Sequence, residues 1–202
     1  MDSKKYLDDI TQIKDMMSRS SRFISLTGLS GILAGIYAIT GAAIAYFFFL
    51  PKEGESVTIS SIHFKYIIGI LMLVAVLSFI TAYLLTTRKA KRNNEKIWDD
   101  TTKRLLINFF VPLITGGIYI LIKLNSRHYG LSASLMLIFY GLALINASKY
   151  TIGTVKYLGY SQIVLGLICA AFPGYGFWFW VLGFGILHIV YGTIMHFKEE
   201  KR

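Results

Sequence analysis

The sequence predicts an all-α, polytopic integral membrane protein, a six-helix transmembrane bundle of three hairpins with an N-terminal amphipathic cytoplasmic helix. Its 202 residues are only 16% charged, whereas a soluble globular domain carries roughly 25%. The charges cluster and leave six long apolar runs, and a helix needs roughly 20 apolar residues to cross a bilayer. The predicted spans are 23–50, 64–87, 105–124, 131–147, 155–172 and 177–197.

The lysines and arginines predict the orientation of these spans. Along the successive connections, 17 of the 21 fall on the side that holds both chain ends, and 4 fall on the other side. Cytoplasmic loops carry the excess of Lys and Arg in membrane proteins. We therefore expect a multi-pass protein of the cell membrane with both termini in the cytoplasm, and with small outer connections at 51–63, 125–130 and 173–176.

Residues 1–22 precede the first span and are predicted to form an amphipathic helix. Apolar side chains recur there at helical spacing, with polar residues elsewhere on the wheel. The apolar set is Tyr6, Ile10, Ile13 and Met17. Such a helix lies on the inner membrane surface or packs on the cytoplasmic mouth of the bundle, and the sequence favours neither. The chain ends in a short cytoplasmic tail, 198–202.

The one sizeable polar connection, 88–104, is basic at its start and holds Trp98 near its middle. Positive charge at helix ends is the ordinary positive-inside signal, and it attracts anionic lipid. We therefore expect anionic lipid as a partner at the cytoplasmic face, with a cytoplasmic or membrane protein as the alternative. The net charge of +10 is assigned to the membrane, and nucleic acid is not expected as a partner.

The first two spans differ in side-chain size, which predicts where each lies. The first carries small residues at steps of three or four, a pattern that lets helix backbones approach closely in lipid. We expect it inside the bundle or, in a homo-oligomer, at a subunit interface. The second span is aliphatic over 67–80 and should face lipid. The small-residue face comprises Gly28, Gly31, Gly35, Ala38 and Ala42.

His188 is the one ionisable side chain deep inside a predicted span. It lies ten residues after Trp178, about 15 Å below the membrane surface at 1.5 Å per residue, and therefore near the midplane. Counting back from the turn at 174–175 places Ser161 and Gln162 of the fifth span at the same depth. The sequence thus predicts hydrogen bonds between the last two spans, locking them as a hairpin near mid-membrane.

The same counting around Arg127 places Asn108 level with Asn146, both toward the cytoplasmic side. These side chains complete a predicted polar cluster of His188, Gln162, Ser161, Asn108, Asn146 and Tyr191. Such groups either hold helices together, as is common in bundles, or line a pocket. A pocket would suit a neutral or weakly polar ligand, because hard cations take carboxylate ligands and the spans contain no Asp or Glu.

Three functions from different classes remain open. The first is binding or transport of a lipid or small amphipathic molecule within the bundle. The small-residue spacing of the first span resembles that of the vitamin-binding S components of energy-coupling transporters, which also have six spans, although the charged loop 88–104 departs from that pattern. The second is a structural or regulatory role exerted through a cytoplasmic partner.

The third function is an intramembrane serine hydrolase. Gly159, Tyr160 and Ser161, with His188 in the last span, are similar to the serine–histidine dyad of rhomboid proteases, although Gln162 stands where that family has a glycine. An activated hydroxyl needs a base beside it, so the resemblance implies contact between Ser161 and His188.

No catalytic residue, metal or cofactor is predicted. A haem held by two histidines needs both at one depth, whereas His63, His128 and His196 lie near the membrane surfaces. The single cysteine, Cys169, excludes an internal disulfide. No sequence repeat is evident between the three hairpins, so the usual pointer to an alternating-access transporter is absent.

Overall fold

The computed structural model describes residues 6, 9–10, 27–50, 61–93, 97–151 and 155–200. Within these ranges the chain is helical and contains no β-strand. Five helices are long and apolar enough to cross a membrane, and a further apolar helix, Val155–Ala171, is shorter. The predicted all-helical class is confirmed for the described residues, and the long apolar helices support transmembrane character. The predicted N-terminal amphipathic helix lies largely outside the described residues, among which Tyr6, Asp9 and Ile10 are helical and exposed.

The described chain forms six principal helices, numbered here in chain order. Helix α1, Gly28–Ile44, continues into a π-helical turn at Ala45–Phe49. Helix α6 runs over 176–200, with a π-helical stretch, Val181–Ile186, between Gly176–Trp180 and Leu187–Glu200. Short 3-10 turns lie at Tyr129–Leu131, Ser148–Tyr150 and Pro173–Tyr175. The remaining helices are α2 Ile62–Arg92, α3 Asp100–Asn125, α4 Ser132–Ala147 and α5 Val155–Ala171.

Capping side chains set where three of the helices begin. Thr27 accepts a hydrogen bond from the backbone of Ser30, Ser61 does the same for α2, and Asp99 does so for α3. Such caps satisfy N–H groups that have no partner within the helix. Helix α3 therefore begins before its apolar run, and α2 continues past its own to Arg92, so both helices extend beyond the predicted spans.

Helices α1 and α6 pack in antiparallel contact through glycines. A Cβ on Gly35 would lie 2.6 Å from the carbonyl oxygen of Gly185, and one on Gly192 would lie 2.7 Å from that of Gly28. Gly31 faces Gly192 as well, and Ala38 and Ala42 of the same helix are buried. The small-residue face of the first span thus lies within the bundle, where close backbone approach adds van der Waals contact.

A second antiparallel pair, α4 and α5, is packed in the same way. A Cβ on Gly141 would lie 2.6 Å from the carbonyl oxygen of Gly159, and Gly166 faces Ile138. Helix α3 packs on the other side of α4, with Phe139 seated on Gly116. Helix α2 packs on α1, and its most hydrophobic window contains no buried residue, as expected for a helix that faces lipid.

The two ends of the helices differ in chemistry. At one end the ring of Tyr46 lies 5.7 Å from those of both Phe177 and Trp178, centroid to centroid; we call this the aromatic end. The opposite, basic end carries the exposed side chains of Arg88, Lys91, Arg92, Lys103 and Arg104. Aromatic rings and positive charges at opposite ends are typical of helices that cross a membrane.

Replacement of Gly35 by alanine tests the α1–α6 contact. The added methyl group meets backbone atoms that cannot move aside, and overpacking of this kind costs about 1–3 kcal/mol. The free energy of unfolding of Gly35→Ala, measured by denaturation in mixed micelles, should fall by that amount. The control is Gly117→Ala in α3, where a Cβ meets nothing within 4 Å and the change should gain up to about 1 kcal/mol in helix propensity. Equal effects of the two changes would contradict the packing.

Candidate functional site

Two buried polar side chains meet at the carbonyl oxygen of Gly183 in α6. Gln162 of α5 is 0% exposed and His188 of α6 is 6% exposed. The Nε2 of Gln162 donates to this oxygen over 2.7 Å, and the Nδ1 of His188 lies 2.9 Å from it. One backbone carbonyl therefore joins α5 to α6 near the middle of both helices.

The carbonyl of Gly183 lies in the π-helical stretch Val181–Ile186. In a π-helix the N–H groups reach back five residues instead of four, and such turns are frequent at functional sites. Position 183 also requires a glycine. A Cβ at position 183 would clash with Leu137 and would lie 2.8 Å from Oε1 of Gln162. The absence of a side chain therefore lets the glutamine approach the widened turn.

A tyrosine from a third helix completes the arrangement. The hydroxyl of Tyr140, in α4, lies 2.8 Å from Nε2 of His188. Because a carbonyl can only accept, Nδ1 of His188 carries the proton that it shares with Gly183, and in the neutral ring Nε2 is then the acceptor. The tyrosine hydroxyl therefore donates to the histidine. We call Tyr140, Gln162, Gly183 and His188 the His188 cluster; it ties α4, α5 and α6 together.

Aromatic rings surround the His188 cluster on the α3 and α4 side. The ring of His188 stacks on those of Tyr140 and Phe184, with centroids 5.4 and 5.9 Å apart and interplanar angles of 27° and 15°. Phe109 of α3 meets Tyr140 edge-on at 6.2 Å, and Trp180 lies 5.2 Å from Phe184. Aromatic side chains thus surround the polar atoms of the cluster and shield them with apolar surface.

Two buried polar atoms beside the His188 cluster have no hydrogen-bond partner in the described part of the chain. They are the amide oxygen Oε1 of Gln162 and the indole Nε1 of Trp180. A buried polar atom without a partner costs about 1–3 kcal/mol, so native proteins usually satisfy such atoms. The pair comprises one acceptor and one donor. A small group that both donates and accepts hydrogen bonds has the matching chemistry.

The structure brings some of the predicted cluster together and leaves other members apart. Gln162 and His188 share one acceptor, as the depth counting indicated. Ser161 does not join them, because it is exposed and its hydroxyl donates to the carbonyl of Tyr157 one turn back along α5. Both ring nitrogens of His188 are engaged elsewhere. The contact that a serine–histidine dyad requires is therefore not formed.

The two asparagines also lie apart from the His188 cluster. The amide of Asn108 donates to the carbonyl of Arg104 within α3. Asn146 is half-buried on α4, six residues beyond Tyr140 and hence about 9 Å farther along the helix. Tyr191 packs beside the apolar cluster that contains Leu144, one turn beyond His188. Tyr140 packs against the same apolar cluster, so Tyr191 lies near the His188 cluster on the side of the basic end.

Sequence analysis missed two members of the cluster. Tyr140 lies at the centre of the predicted fourth span, and counting depth from its turn as well would have placed it level with His188. The Gly183 carbonyl carries no side-chain signal, and only the glycines at 183 and 185 hint at an irregular helix there.

The charge of the site limits its chemistry. Within the described residues, no group of three or more His, Cys, Asp or Glu side chains is placed to hold a metal ion. The three side chains of the His188 cluster present hydrogen bonds and ring faces rather than formal charge. This combination can bind an uncharged molecule that has one polar group and an apolar remainder.

Comparison of the chain with protein-family models, with curated proteins and with solved structures finds no match in any of the three searches.

A double-mutant cycle on Tyr140 and His188 tests the link between α4 and α6. Hydrogen bonds between membrane helices contribute about 0.6–1.7 kcal/mol. Tyr140→Phe and His188→Leu should each lower the free energy of unfolding in bicelles, and the double variant should lose less than their sum by about that coupling energy. The control is Ser161→Ala, whose hydroxyl bonds only its own helix, and it should change stability little. Strict additivity of the first two changes would refute the contact.

Proposed function

We propose that this chain is a six-span membrane protein that binds and transports a small, uncharged amphipathic molecule at the His188 cluster. In this proposal α1 to α6 each cross the bilayer once, as three hairpins, and the basic end faces the cytoplasm. Helix α5, with 17 residues, is about 26 Å long, and a shortfall of a few ångströms is accommodated by local thinning of the bilayer.

The observation that carries the proposal is the unpartnered amide oxygen of Gln162. Its side chain is wholly buried, its Nε2 is already used by Gly183, and its Oε1 has no hydrogen-bond partner in the described part of the chain. A hydroxyl or amide group could donate to this oxygen and accept from Nε1 of Trp180. The apolar part of the ligand would then lie among aromatic rings, as in most small-molecule sites.

The absence of carboxylates from the predicted spans supports an uncharged ligand. A charged group near the bilayer centre is expensive unless it is paired, and the described cluster offers a cation no anionic partner. Long-chain alcohols, monoacylglycerols and fatty amides fit the required pattern of one donor, one acceptor and an apolar chain.

Photolabelling with a diazirine-bearing long-chain alcohol tests this proposal. We expect label at the His188 cluster of the purified protein, located by peptide mass spectrometry. Gln162→Leu should reduce it about tenfold, the equivalent of ~1.4 kcal/mol, because the hydroxyl loses its acceptor. Ser161→Ala is the matched control on the same helix, where the hydroxyl bonds only Tyr157, and it should label as the wild type does.

Two further results decide the outcome of the labelling experiment. A diazirine alkane of equal length but without the hydroxyl should label the lipid-facing surfaces and should not distinguish the two variants. Circular dichroism and gel filtration confirm that Gln162→Leu is folded. Equal labelling of a folded Gln162→Leu and Ser161→Ala by the alcohol would refute ligand binding at this site.

A second candidate function is supported by the basic end. Trp98 is 66% exposed between α2 and α3 and lies in sequence between the exposed cations of the two helix ends. Asp99 and Asp100 follow the ring directly, but the exposed Arg88, Lys91, Arg92, Lys103 and Arg104 leave the two helix ends with a net positive charge. An exposed tryptophan beside this charge fits a cytoplasmic partner with an acidic surface, since Trp and Arg are enriched in binding hot spots. This arrangement favours the structural or regulatory role.

A photocrosslinking amino acid at position 98 distinguishes this second function. If a protein partner docks there, crosslinking in cells should yield one defined protein adduct. The control position is Tyr175, which is 61% exposed at the aromatic end and should yield none. Recovery of lipid adducts alone at position 98 would count against a protein partner.

A further inference from the structure

The helices pack in an order that repeats between the two halves of the chain. The first helix of the first half, α1, packs on α2 of its own half and on α6 of the other. The first helix of the second half, α4, packs on α5 of its own half and on α3 of the other. In each half, the first helix therefore packs against the third helix of the other half.

Residues within α1 and α4 repeat this relation. Ile39 of α1 is seated on Gly185, in the third helix of the other half, and Phe139 of α4 is seated on Gly116 in the same relation. Two residues later, a glycine receives the second helix of its own half. Gly41 takes the side chains of Ile70 and Val74 from α2, and Gly141 takes Ile163 from α5.

Because each half has three helices, the second half runs through the membrane in the opposite direction. The axis that relates the halves must then lie in the membrane plane, the relation called an inverted repeat. Ile39 and Phe139 both lie near the middle of their apolar segments, Gly28–Phe49 and Tyr129–Tyr150. A two-fold axis in the membrane plane lies at mid-depth, so two equivalent residues that both lie at mid-depth stay at the same level.

The contact between the first and the third helix of the same half is not equal in the two halves: α4 and α6 are close at the aromatic end, whereas the equivalent helices are apart at the basic end. At the aromatic end α6 closes on α4, where a Cβ on Gly176 would lie 3.3 Å from Cβ of Ala133, and Tyr140 holds His188 nearer the middle. Helices α3 and α1 are the equivalent pair, and within the described residues they make almost no contact.

The correspondence between the two halves identifies the residues that would make the equivalent contact at the basic end. With Ile39 matched to Phe139 and Gly116 to Gly185, the pair Ala133 and Gly176 corresponds to Leu33 and Ile107. The pair Tyr140 and His188 corresponds to Thr40 and Tyr119. Of these counterparts, Ile107 is 62% exposed, Tyr119 is 41% exposed and Thr40 is exposed. The side chains required for the alternative closure are present and largely uncovered.

We infer that the two halves form an inverted repeat that exchanges between two closures, so that α3 closes on α1 at the basic end when α6 releases α4 at the aromatic end. This exchange gives alternating access to the His188 cluster from the two sides of the membrane. What it carries rests on the proposed function, a small uncharged amphipathic molecule. The exchange itself rests on the packing of the two halves.

Paired cysteines in membranes test the exchange, with Cys169→Ala as background. Ala133→Cys with Gly176→Cys should form a disulfide directly, since the Cβ distance is close to the 3.5–4.5 Å of disulfides. Leu33→Cys with Ile107→Cys should be joined by a short thiol-specific linker, although these residues are apart in the described closure. The control pair, Leu33→Cys with Ile118→Cys, moves the α3 cysteine eleven residues, about 16 Å, along the helix to a side chain that is 55% exposed, and it should link far less.

The decisive measurement uses the protein that carries all four cysteines. Once the disulfide at the aromatic end is formed, linking of Leu33→Cys to Ile107→Cys should fall about tenfold, because one closed state excludes the other. Reduction of that disulfide should restore the linking. If the basic-end pair links no better than the control pair, or links equally with the disulfide in place, the exchange is refuted.

Labelling by the diazirine alcohol in the same variants separates this inference from the proposed function. Mutually exclusive linking without specific labelling would support the exchange and refute the ligand. Specific labelling without mutually exclusive linking would support a static binding protein and refute the exchange.

Discussion

The carbonyl oxygen of Gly183 accepts hydrogen bonds from two side chains, and the interior of the bundle depends on this point. In lipid there is no water to satisfy a backbone group, and each unsatisfied group costs several kcal/mol. Two side-chain donors therefore stabilise this carbonyl within the π-helical stretch in the middle of a membrane helix. Gln162 of α5 supplies one and His188 of α6 itself supplies the other. Because the same imidazole accepts from Tyr140, the irregular turn also positions α4.

Glycine has two separate functions in this architecture. Along α1 and α6 it removes side chains so that two helix backbones can touch, and the contact depends on shape alone. At position 183 it also admits the amide of Gln162 to the backbone, and so makes a polar contact possible. The first use gives a rigid antiparallel pair, and the second gives a link between that pair and α4 with α5. The bundle is consequently built on two glycine-packed pairs, which are joined by a few hydrogen bonds and by apolar side chains of α6 that pack on buried residues of α4 and α5.

The sequence predicted the features that depend on periodicity and depth, and it missed those that depend on backbone geometry. The small face of the first span and the aliphatic second span follow from side-chain size, and the structure places them inside and outside accordingly. Counting from a turn brought Gln162 level with His188 but could not show which way Ser161 points, because neighbouring helix positions differ by about 100° around the axis. Depth counting also does not show that an asparagine in a helix can bond its own backbone, as Asn108 does at the carbonyl of Arg104. The pairing of α1 with α6 joins residues far apart in sequence, and no local pattern indicates it.

The strength of the polar link is what makes an exchange between two closures physically reasonable. Because α4 and α5 form one pair, release of α6 breaks both the Tyr140–His188 and the Gln162–Gly183 hydrogen bonds, and it separates the apolar side chains and the small residues packed between the pairs. Hydrogen bonds between membrane helices contribute only about 0.6–1.7 kcal/mol, and helices in lipid gain no hydrophobic free energy by staying together. The glycine contacts of α1 with α6 and of α4 with α5 are extensive by comparison, so the two pairs would move as units. An equilibrium between states that differ by a few kcal/mol leaves the minor state at 0.1–10%. A ligand that satisfies Oε1 of Gln162 and Nε1 of Trp180 in one closure better than in the other would shift that balance by its difference in affinity.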